Sequence, residues 1–160
     1  METSSLRRHH GPHPGILAIV FALLFIAGLS FALSGKGANF PSPWVTQAVL
    51  EDYFQHHQRE VLFCGFLQFA SAVPLGLLTA SLSSRLRFLG NVSTGPYIAL
   101  FGGFWTVVDM AFCGLLLWAM AYPGVVDNGP VLRMLYYVGF AIGGVGYSVP
   151  LGLLVAGTAV

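Results

Sequence analysis

Asp109 is the residue of this sequence best placed to do chemistry, because it lies in the middle of a long apolar run. An ionisable side chain at the centre of a bilayer costs a few kcal/mol, so it needs a partner or a wet cavity. No Lys or Arg falls at the same depth in another apolar run, which leaves the carboxyl without a cation. A desolvated carboxyl of this kind is readily protonated, and this property suits a proton or cation site.

Polar residues at a similar depth are the candidate partners of this carboxyl. They are Gln68, Ser71, Thr106, Tyr147 and Ser148. We predict a ligand-binding or ion-binding site formed by Asp109 with Gln68, Ser71 and Tyr147. The alternative is a protonated or hydrogen-bonded Asp109 that ties its own helix to two neighbours and binds nothing.

Pro74 and Pro150 are a second indication of a binding site. Each removes one hydrogen bond of its helix, frees the carbonyl of Ala70 or Gly146, and predicts a kink. Paired Pro and Gly interruptions at corresponding places in two halves of a membrane protein indicate a site near the midplane. We therefore include both prolines in the predicted site. The alternative is a packing kink that a neighbouring hydroxyl group satisfies.

Other residue patterns give weaker indications of chemistry. Asp52, His56 and Glu60 are spaced four apart, as metal ligands on a helix can be, but solvated surface residues often share this spacing. We predict no metal site. Cys64 and Cys113 lie inside apolar runs without a Cys-x-x-Cys pair, which indicates small buried side chains. No serine-hydrolase, zinc-peptidase or phosphate-loop motif is present, so the sequence identifies neither catalytic residues nor a cofactor.

The composition indicates which solvent surrounds these residues. Of the 160 residues 56% are hydrophobic and only 8% are charged, against roughly a quarter charged in a soluble domain. This is too little charge to cover a water-facing surface, so the lipid bilayer is the predicted partner. The formal net charge of +1 excludes the strongly basic surface that nucleic-acid binding requires.

Four apolar runs are long enough, at roughly 20 residues each, to cross the hydrocarbon core of a bilayer. They cover residues 15–33, 61–82, 96–122 and 131–160, and we name them the first to fourth spans. The predicted fold is an all-α membrane protein, a four-transmembrane-helix bundle. Residues 15–160 form its single transmembrane domain, and residues 1–14 form a basic tail.

The loop between the first two spans holds one further predicted helix, at residues 43–60. Ser42 before Pro43 is typical of a helix start. One side of this helix is apolar and the other is polar. The apolar side consists of Val45, Val49, Leu50, Tyr53 and Phe54. This pattern predicts an interfacial helix that lies on the outer leaflet.

Basic residues predict how the chain crosses the membrane. Arg7 and Arg8 precede the first span, and Arg85 and Arg87 lie between the second and third. Because positive charge is retained on the cytoplasmic side, these segments and both termini are predicted to be cytoplasmic.

Small residues predict where the helices approach each other, because close packing drives helix association in lipid. They are Gly139 and Gly143 in the fourth span, Ala72 and Gly76 in the second, and Ala99 and Gly103 in the third. We expect the second, third and fourth spans to form the tight core. The bulkier first span is expected to lie at the periphery.

The sequence Val-Pro-Leu-Gly-Leu-Leu occurs twice, at residues 73–78 and 149–154. The echo predicts a parallel duplication that relates the first two spans to the last two, with chance similarity between Leu-rich spans as the alternative. In these features the chain resembles uncharacterised bacterial multi-pass membrane proteins. The resemblance implies a membrane bundle in a bacterial inner membrane and supplies no activity. Since Arg85 and Arg87 follow the first copy and nothing basic follows the second, we expect the natural chain to continue past Val160.

Two classes of function remain open on the sequence alone. The chain is a structural or accessory subunit of a membrane complex, or a small proton- or cation-coupled transporter or channel subunit that uses Asp109. An enzyme is the weakest class, because the spans contain no His and one central Asp is a poor basis for hydrolysis. Four helices rarely enclose a pathway alone, so both remaining classes predict a homo-oligomer or a larger complex.

Overall fold

The structure is a computed structural model that describes residues 11–33, 40–90 and 92–159, and all regular secondary structure in these residues is helical. The helices are α1 (Pro14–Leu33), α2 (Gln47–His56), α3 (Gln58–Phe88), α4 (Gly95–Met120), α5 (Pro123–Val126), α6 (Gly129–Ala141) and α7 (Tyr147–Ala159). A π-helical turn, Ile142–Gly146, joins α6 to α7. Arg7, Arg8 and Val160, which the sequence analysis singled out, lie outside the described residues.

Four helices are long and apolar enough to cross a membrane, which confirms the predicted all-α protein with four candidate spans. α1, α3 and α4 supply the first three, and the continuous helix Gly129–Ala159 is the fourth. A helix rises about 1.5 Å per residue, so each is long enough for a hydrocarbon core of about 30 Å.

The second span is longer than its apolar run alone predicts. α3 covers Gln58–Phe88, whereas the apolar run covers residues 61–82. No Gly or Pro interrupts residues 83–88, so the helix continues past the apolar run until it reaches Gly90. Gly90 adopts a φ of 86°, a left-handed conformation that glycine reaches without strain, and α3 ends there.

The helix between the first two spans is shorter than predicted. α2 covers Gln47–His56 rather than residues 43–60. It begins late because Thr46 is still extended, with a ψ of 157°. It ends early because His57, with φ −120° and ψ 28°, interrupts the helix before α3 begins.

The apolar side of α2 packs on the ends of the spans. Leu50, Tyr53 and Phe54 are buried, and they join a hydrophobic cluster with residues of α1, α3, α4 and α6. The Tyr53 hydroxyl donates a hydrogen bond to the Ala32 carbonyl at the end of α1, at 3.1 Å. Most of the surface predicted to face lipid is therefore covered by the protein itself.

Two side chains of α6 hold the segment that leads into α2. Arg133 Nη2 donates to the Val45 carbonyl at 2.8 Å, and its Nη1 donates to the Tyr137 hydroxyl at 3.0 Å. The Tyr136 hydroxyl donates to the Pro41 carbonyl. These bonds attach residues 40–56 to the fourth span as well as to the first, so this segment caps one end of the bundle.

The spans pack in chain order. α1 packs along α3, α3 along α4, and α4 along the fourth span. α4 therefore has an extensive neighbour on two sides, whereas α3 and α7 touch over a short stretch. Within the described residues α1 and the fourth span do not pack extensively on each other. The bundle is consequently open between its first and last helices.

The tightest helix approaches occur at glycines that meet backbone or β-carbon atoms of a neighbour. They are Gly65, Gly102, Gly103, Gly114 and Gly157. A β-carbon built on Gly102 would lie 2.6 Å from the Pro150 carbonyl oxygen of α7, and Gly103 meets the Thr79 side chain of α3. This adjacent pair of glycines lets α4 approach two helices at one level.

The small residues that the sequence singled out differ in how closely they pack. Ala72 and Ala99 are buried, and Gly103 makes the close contact described above. A β-carbon on Gly143 would lie 3.1 Å from the Cys113 sulfur, which is closer than ordinary van der Waals contact. A β-carbon on Gly76 would lie 3.7 Å from a Val107 methyl group, and one on Gly139 would lie 3.8 Å from the methyl carbon of Met120. These distances are ordinary van der Waals contact, so neither glycine is required for the approach of its helix.

Candidate functional site

A cavity of about 330 Å³ lies among all four spans. It separates two hydrophobic clusters, one beneath the α2 cap around Leu117 and Tyr136, and one around Met110 and Leu75. Its walls include Phe25 and Leu29 of α1, Cys64 and Gln68 of α3, Asp109, Met110, Cys113 and Leu117 of α4, and Tyr136, Phe140, Gly143, Gly144 and Tyr147 of the fourth span. The surface is mainly aliphatic, aromatic and sulfur-containing, with few polar groups.

Asp109 points one of its carboxylate oxygens towards the fourth span. Oδ2 is buried, and within the described residues it has no hydrogen-bond partner. A β-carbon built on Gly146 would lie 3.7 Å from this oxygen, which places Gly146 directly opposite. The Trp105 indole lies one turn earlier on α4, beside the carboxyl. The carboxyl is thus held at the wall of an apolar cavity with acceptor capacity left over.

The π-helical turn Ile142–Gly146 forms the wall that faces Asp109. The Tyr147 N–H reaches the Ile142 carbonyl, five residues back, as a π-helical turn requires. Pro150 has no N–H to offer the Gly146 carbonyl, so the hydrogen-bond pattern of the fourth span is irregular on both sides of Gly146. Such turns are frequent at functional sites.

Two of the predicted partners of Asp109 line the same cavity. Gln68 is a buried residue of α3 that lines the cavity. Its Nε2 donates weakly to the Cys64 sulfur at 3.8 Å. Tyr147 lines the opposite wall, on the fourth span. The structure therefore brings Asp109, Gln68 and Tyr147 together around one space.

Other predicted site residues lie outside the cavity lining. The Ser71 hydroxyl lies within hydrogen-bond distance of the Gln68 carbonyl, at 2.7 Å, and of the Met110 sulfur, at 3.0 Å, behind the wall. Pro74 and Pro150 are buried and do not line the cavity. Ser71 and both prolines therefore do not meet Asp109 in this space.

The two remaining hydroxyls named from the sequence bond to their own helices. Thr106 donates to the Gly102 carbonyl at 2.7 Å, and Ser148 donates to the Gly144 carbonyl at 2.7 Å. Neither lines the cavity. Both hydroxyls are thus satisfied by backbone one turn away.

Two neighbours of Asp109 were missed by the sequence analysis. Trp105 lies four residues before it and Cys113 four residues after it, so all three share one face of α4. The Cys113 thiol donates weakly to the Gly139 carbonyl at 3.8 Å and lines the cavity wall. Helical spacing from Asp109 was the signal that would have found both residues.

The outer Asp52, His56 and Glu60 do not converge. His56 Nδ1 lies 3.3 Å from an Asp52 carboxylate oxygen, while Glu60 belongs to α3, beyond the break at His57. Among residues 11–33, 40–90 and 92–159 no three His, Cys, Asp or Glu side chains are grouped as a metal site. The spacing is that of a solvated surface.

The cavity can accommodate an apolar molecule that also carries a hydrogen-bond donor. Its volume falls at the lower end of the range for small-molecule sites, about 300–1,000 Å³. No Lys, Arg or His is among the residues that line it. Comparison of the chain with protein-family models, with curated proteins and with solved structures finds no match.

Proposed function

We propose that this chain is a multi-pass integral membrane protein that acts as a structural or accessory subunit of a membrane complex. The observation that carries the proposal is an uncovered stripe of small residues on the fourth span, which we call the α7 stripe. It consists of Gly144, Ser148, Gly152 and Ala156, spaced four apart and therefore on one face of the helix.

The α7 stripe differs from the glycines at the helix crossings because none of the described residues covers it. A β-carbon built on Gly144 or Gly152 would meet no atom within 4 Å, and Ser148 and Ala156 are exposed. In contrast, Gly102 and Gly157 pack closely on neighbouring helices. Stripes of small residues let two helix backbones approach in lipid, where apolar bulk gives no advantage.

The partner that fits the α7 stripe is an apolar helix with a small-residue face of its own. A second copy of this chain brings the same stripe, so a homo-oligomer is the simplest assembly, and a larger complex uses the same surface. Exposed aromatic side chains suited to the membrane boundary are Trp44, Tyr122 and Tyr137.

The proposed orientation places the amino terminus in the cytoplasm of a bacterial cell, with α2 at the outer surface. Arg85 Nη2 donates to the Pro12 carbonyl at 3.5 Å, so the basic end of α3 lies beside the start of α1. Positive charge favours the cytoplasmic side for this end. At the other end, α2 is proposed to lie at the interface as a cap, with exposed Trp44 and Val49 in contact with lipid headgroups.

Cysteine cross-linking tests the assembly. Ser148→Cys, introduced with Cys64 and Cys113 replaced by Ala, is expected to form a disulfide-linked dimer when native membranes are oxidised. Leu23→Cys, which is exposed on α1 and so lies away from the α7 stripe, is the matched control. Two results would contradict the proposal, provided that no other chain co-purifies with the protein. One is equal cross-linking at both positions, and the other is no cross-linking at either position.

A size measurement gives an independent test. Gly152→Leu adds a bulky side chain where helices are proposed to touch, and it is expected to reduce the assembled fraction in native membrane discs. The same substitution should leave the fold unchanged, because open space surrounds Gly152. An unchanged assembled fraction would argue against the α7 stripe as the interface.

A second candidate function is a proton- or cation-coupled transporter or channel subunit, and the unpartnered Oδ2 of Asp109 favours it. A carboxyl at mid-span with acceptor capacity left over suits reversible binding of a cation. Gln68 and Tyr147 supply the other polar groups of the same cavity. The two functions are compatible, since an assembled subunit is able to contribute one carboxyl to a shared pathway.

Flux into proteoliposomes tests this second candidate. Vesicles that contain the protein and a pH-sensitive dye are expected to dissipate an imposed proton gradient, and Asp109→Asn is expected to abolish the flux with the fold intact. Asp127→Asn, an exposed carboxylate outside the spans, is the control. Equal flux through wild type and Asp109→Asn would exclude a role for this carboxyl in transport.

A further inference from the structure

We infer that the cavity around Asp109 binds a lipophilic amine, which enters from the lipid between α1 and the fourth span. The inference goes beyond the proposed assembly and uses a different surface. It needs no partner chain, and it shares with the α7 stripe only Gly144, which lines the cavity.

The shape and lining of the cavity fit the apolar part of such a molecule. Phe25 and Leu29 of α1 face Met110 and Leu117 of α4 across a space of about 330 Å³. Residues of two hydrophobic clusters line it, one below the α2 cap and one around Met110. An alkyl chain or a small ring system therefore packs against apolar side chains along its length.

The charge of the cavity indicates what the occupant must carry. Asp109 is one of the residues that line the cavity. The cavity lining contains no Lys, Arg or His, so the protein offers this carboxylate no cation of its own. A protonated amine supplies the missing charge, and the bond between an ammonium group and a carboxylate is among the stronger hydrogen bonds.

An entirely apolar occupant, such as a hydrocarbon chain, fits the walls but leaves the Asp109 carboxylate without a counter-charge. An unpaired charge in an apolar space costs free energy, so such an occupant is disfavoured relative to an amine. Anionic molecules are disfavoured more strongly, because they would bring a second negative charge to the same apolar space. Charge complementarity thus selects the amine among membrane-soluble molecules.

The opening lies where the bundle is incomplete. α1 and the fourth span do not pack extensively on each other in the described residues. Phe140, at the rim of the cavity, is 56% exposed, and Gly144 beside it has no side chain to obstruct passage. A molecule dissolved in the bilayer therefore reaches Asp109 without crossing the α2 cap.

The experiment uses the full chain, one copy per phosphatidylcholine nanodisc, and N,N-dimethyldecylamine as the probe. Cys113 lines the cavity and serves as the reporter, since an occupant should shield its thiol from N-ethylmaleimide. Alkylation is followed by peptide mass spectrometry, which separates Cys113 from Cys64. The uncharged analogue 2-methyldodecane has the same shape and controls for partition into the lipid.

The amine is expected to slow alkylation of Cys113, and 2-methyldodecane is expected to have little effect at the same concentration in the membrane. Asp109→Asn should require about tenfold more amine for equal protection, as loss of one charge-assisted hydrogen bond predicts. Asp127→Asn should behave as wild type. Rates are compared with and without amine within each variant, so that changes in thiol reactivity cancel.

Equal protection by amine and hydrocarbon, or no protection by either in wild-type protein, would overturn the inference even if Asp109→Asn fails to fold. Equal protection in folded Asp109→Asn would overturn it as well. Because each nanodisc holds one copy, the result does not depend on assembly. Failure of the amine site and failure of the proposed interface are therefore separate outcomes.

Discussion

Gly65 of α3 and Gly114 of α4 face each other so closely that a β-carbon built on either would lie 2.7 Å from the carbonyl oxygen of the other. The relationship is reciprocal, and on both sides the obstructing atoms belong to backbone. A β-carbon on Gly65 would also lie 3.0 Å from the Trp118 nitrogen, and one on Gly114 would lie 2.8 Å from the Phe69 nitrogen. Backbone cannot move aside as a flexible side chain can, so this crossing accepts glycine alone.

Substitution of this pair should destabilise the bundle. Gly65→Ala and Gly114→Ala are each expected to lower the free energy of unfolding by about 1–3 kcal/mol, the usual cost of overpacking. Gly76→Ala, also on α3, should cost much less, because its β-carbon would lie 3.7 Å from a methyl group. Unfolding in mixed micelles, followed by circular dichroism, measures the three variants. Equal stability of Gly114→Ala and Gly76→Ala would show that the helices do not cross here.

Removal of the Arg133 guanidinium should release the α2 cap. Arg133→Met keeps an apolar stem but loses the bonds to the Val45 carbonyl and the Tyr137 hydroxyl. Hydrogen exchange of the α2 amides, measured by mass spectrometry, is expected to become severalfold faster, as loss of about 1 kcal/mol of local stability implies. Arg59→Met, at an exposed position on α3, is the control and should leave α2 exchange unchanged.

Tyr53 should make the protein sensitive to alkaline pH. Burial, with smaller contributions from Cys64 and Glu60, raises the pKa of Tyr53 from 10.0 to about 12. Above pH 10 the unfolded chain ionises this phenol while the folded protein does not, so stability should fall as pH rises from 10 through about 12. Melting temperatures of wild type and Tyr53→Phe, measured across this interval, give the test.

In Tyr53→Phe the hydroxyl is absent, so this part of the alkaline loss should disappear. The variant also loses the hydrogen bond to the Ala32 carbonyl, and it should therefore melt lower than wild type near neutral pH. Tyr122→Phe alters an exposed phenol and serves as the control. An identical alkaline slope in wild type and Tyr53→Phe would contradict the burial of this hydroxyl.

The proposed orientation predicts which surface cysteines are labelled from outside. Trp44 is 84% exposed and Val92 is 98% exposed. Trp44 lies in the loop before α2, and Val92 lies in the loop between α3 and α4, so they are at opposite ends of α3. In a chain with Cys64 and Cys113 replaced by Ala, Trp44→Cys should react with a membrane-impermeant maleimide in intact cells. Val92→Cys should react only after lysis. The reverse labelling pattern would show that the chain has the opposite orientation in the membrane.

The spans could be predicted from the sequence because an apolar run of about 20 residues is typical of a membrane-spanning helix. The ends were less predictable, since α3 continues through polar residues up to Gly90 and α2 is interrupted at His57 for reasons of backbone geometry. Neither the end of α3 nor the interruption at His57 is marked in the sequence as clearly as the apolar runs are. Local backbone conformation, rather than hydropathy, determines where these two helices end.

Some residues of the candidate site could also be predicted from the sequence, and others could not. Depth along the spans correctly indicated that Gln68 and Tyr147 share a space with Asp109. Depth gives no rotation about the helix axis, and for that reason Ser71, Pro74 and Pro150 were grouped with them although they face elsewhere. The π-helical turn opposite Asp109 depends on packing between the third and fourth spans, which no local pattern of residues specifies.

The chain-order packing of the spans has a consequence for biosynthesis. Each helix of the bundle docks mainly on the one made just before it, so every newly inserted segment finds its neighbour already in place. Assembly can therefore proceed while the ribosome is still translating, without waiting for the carboxyl-terminal helix to meet the first. Contacts between segments near in sequence also keep the entropy of chain closure small, which favours rapid folding.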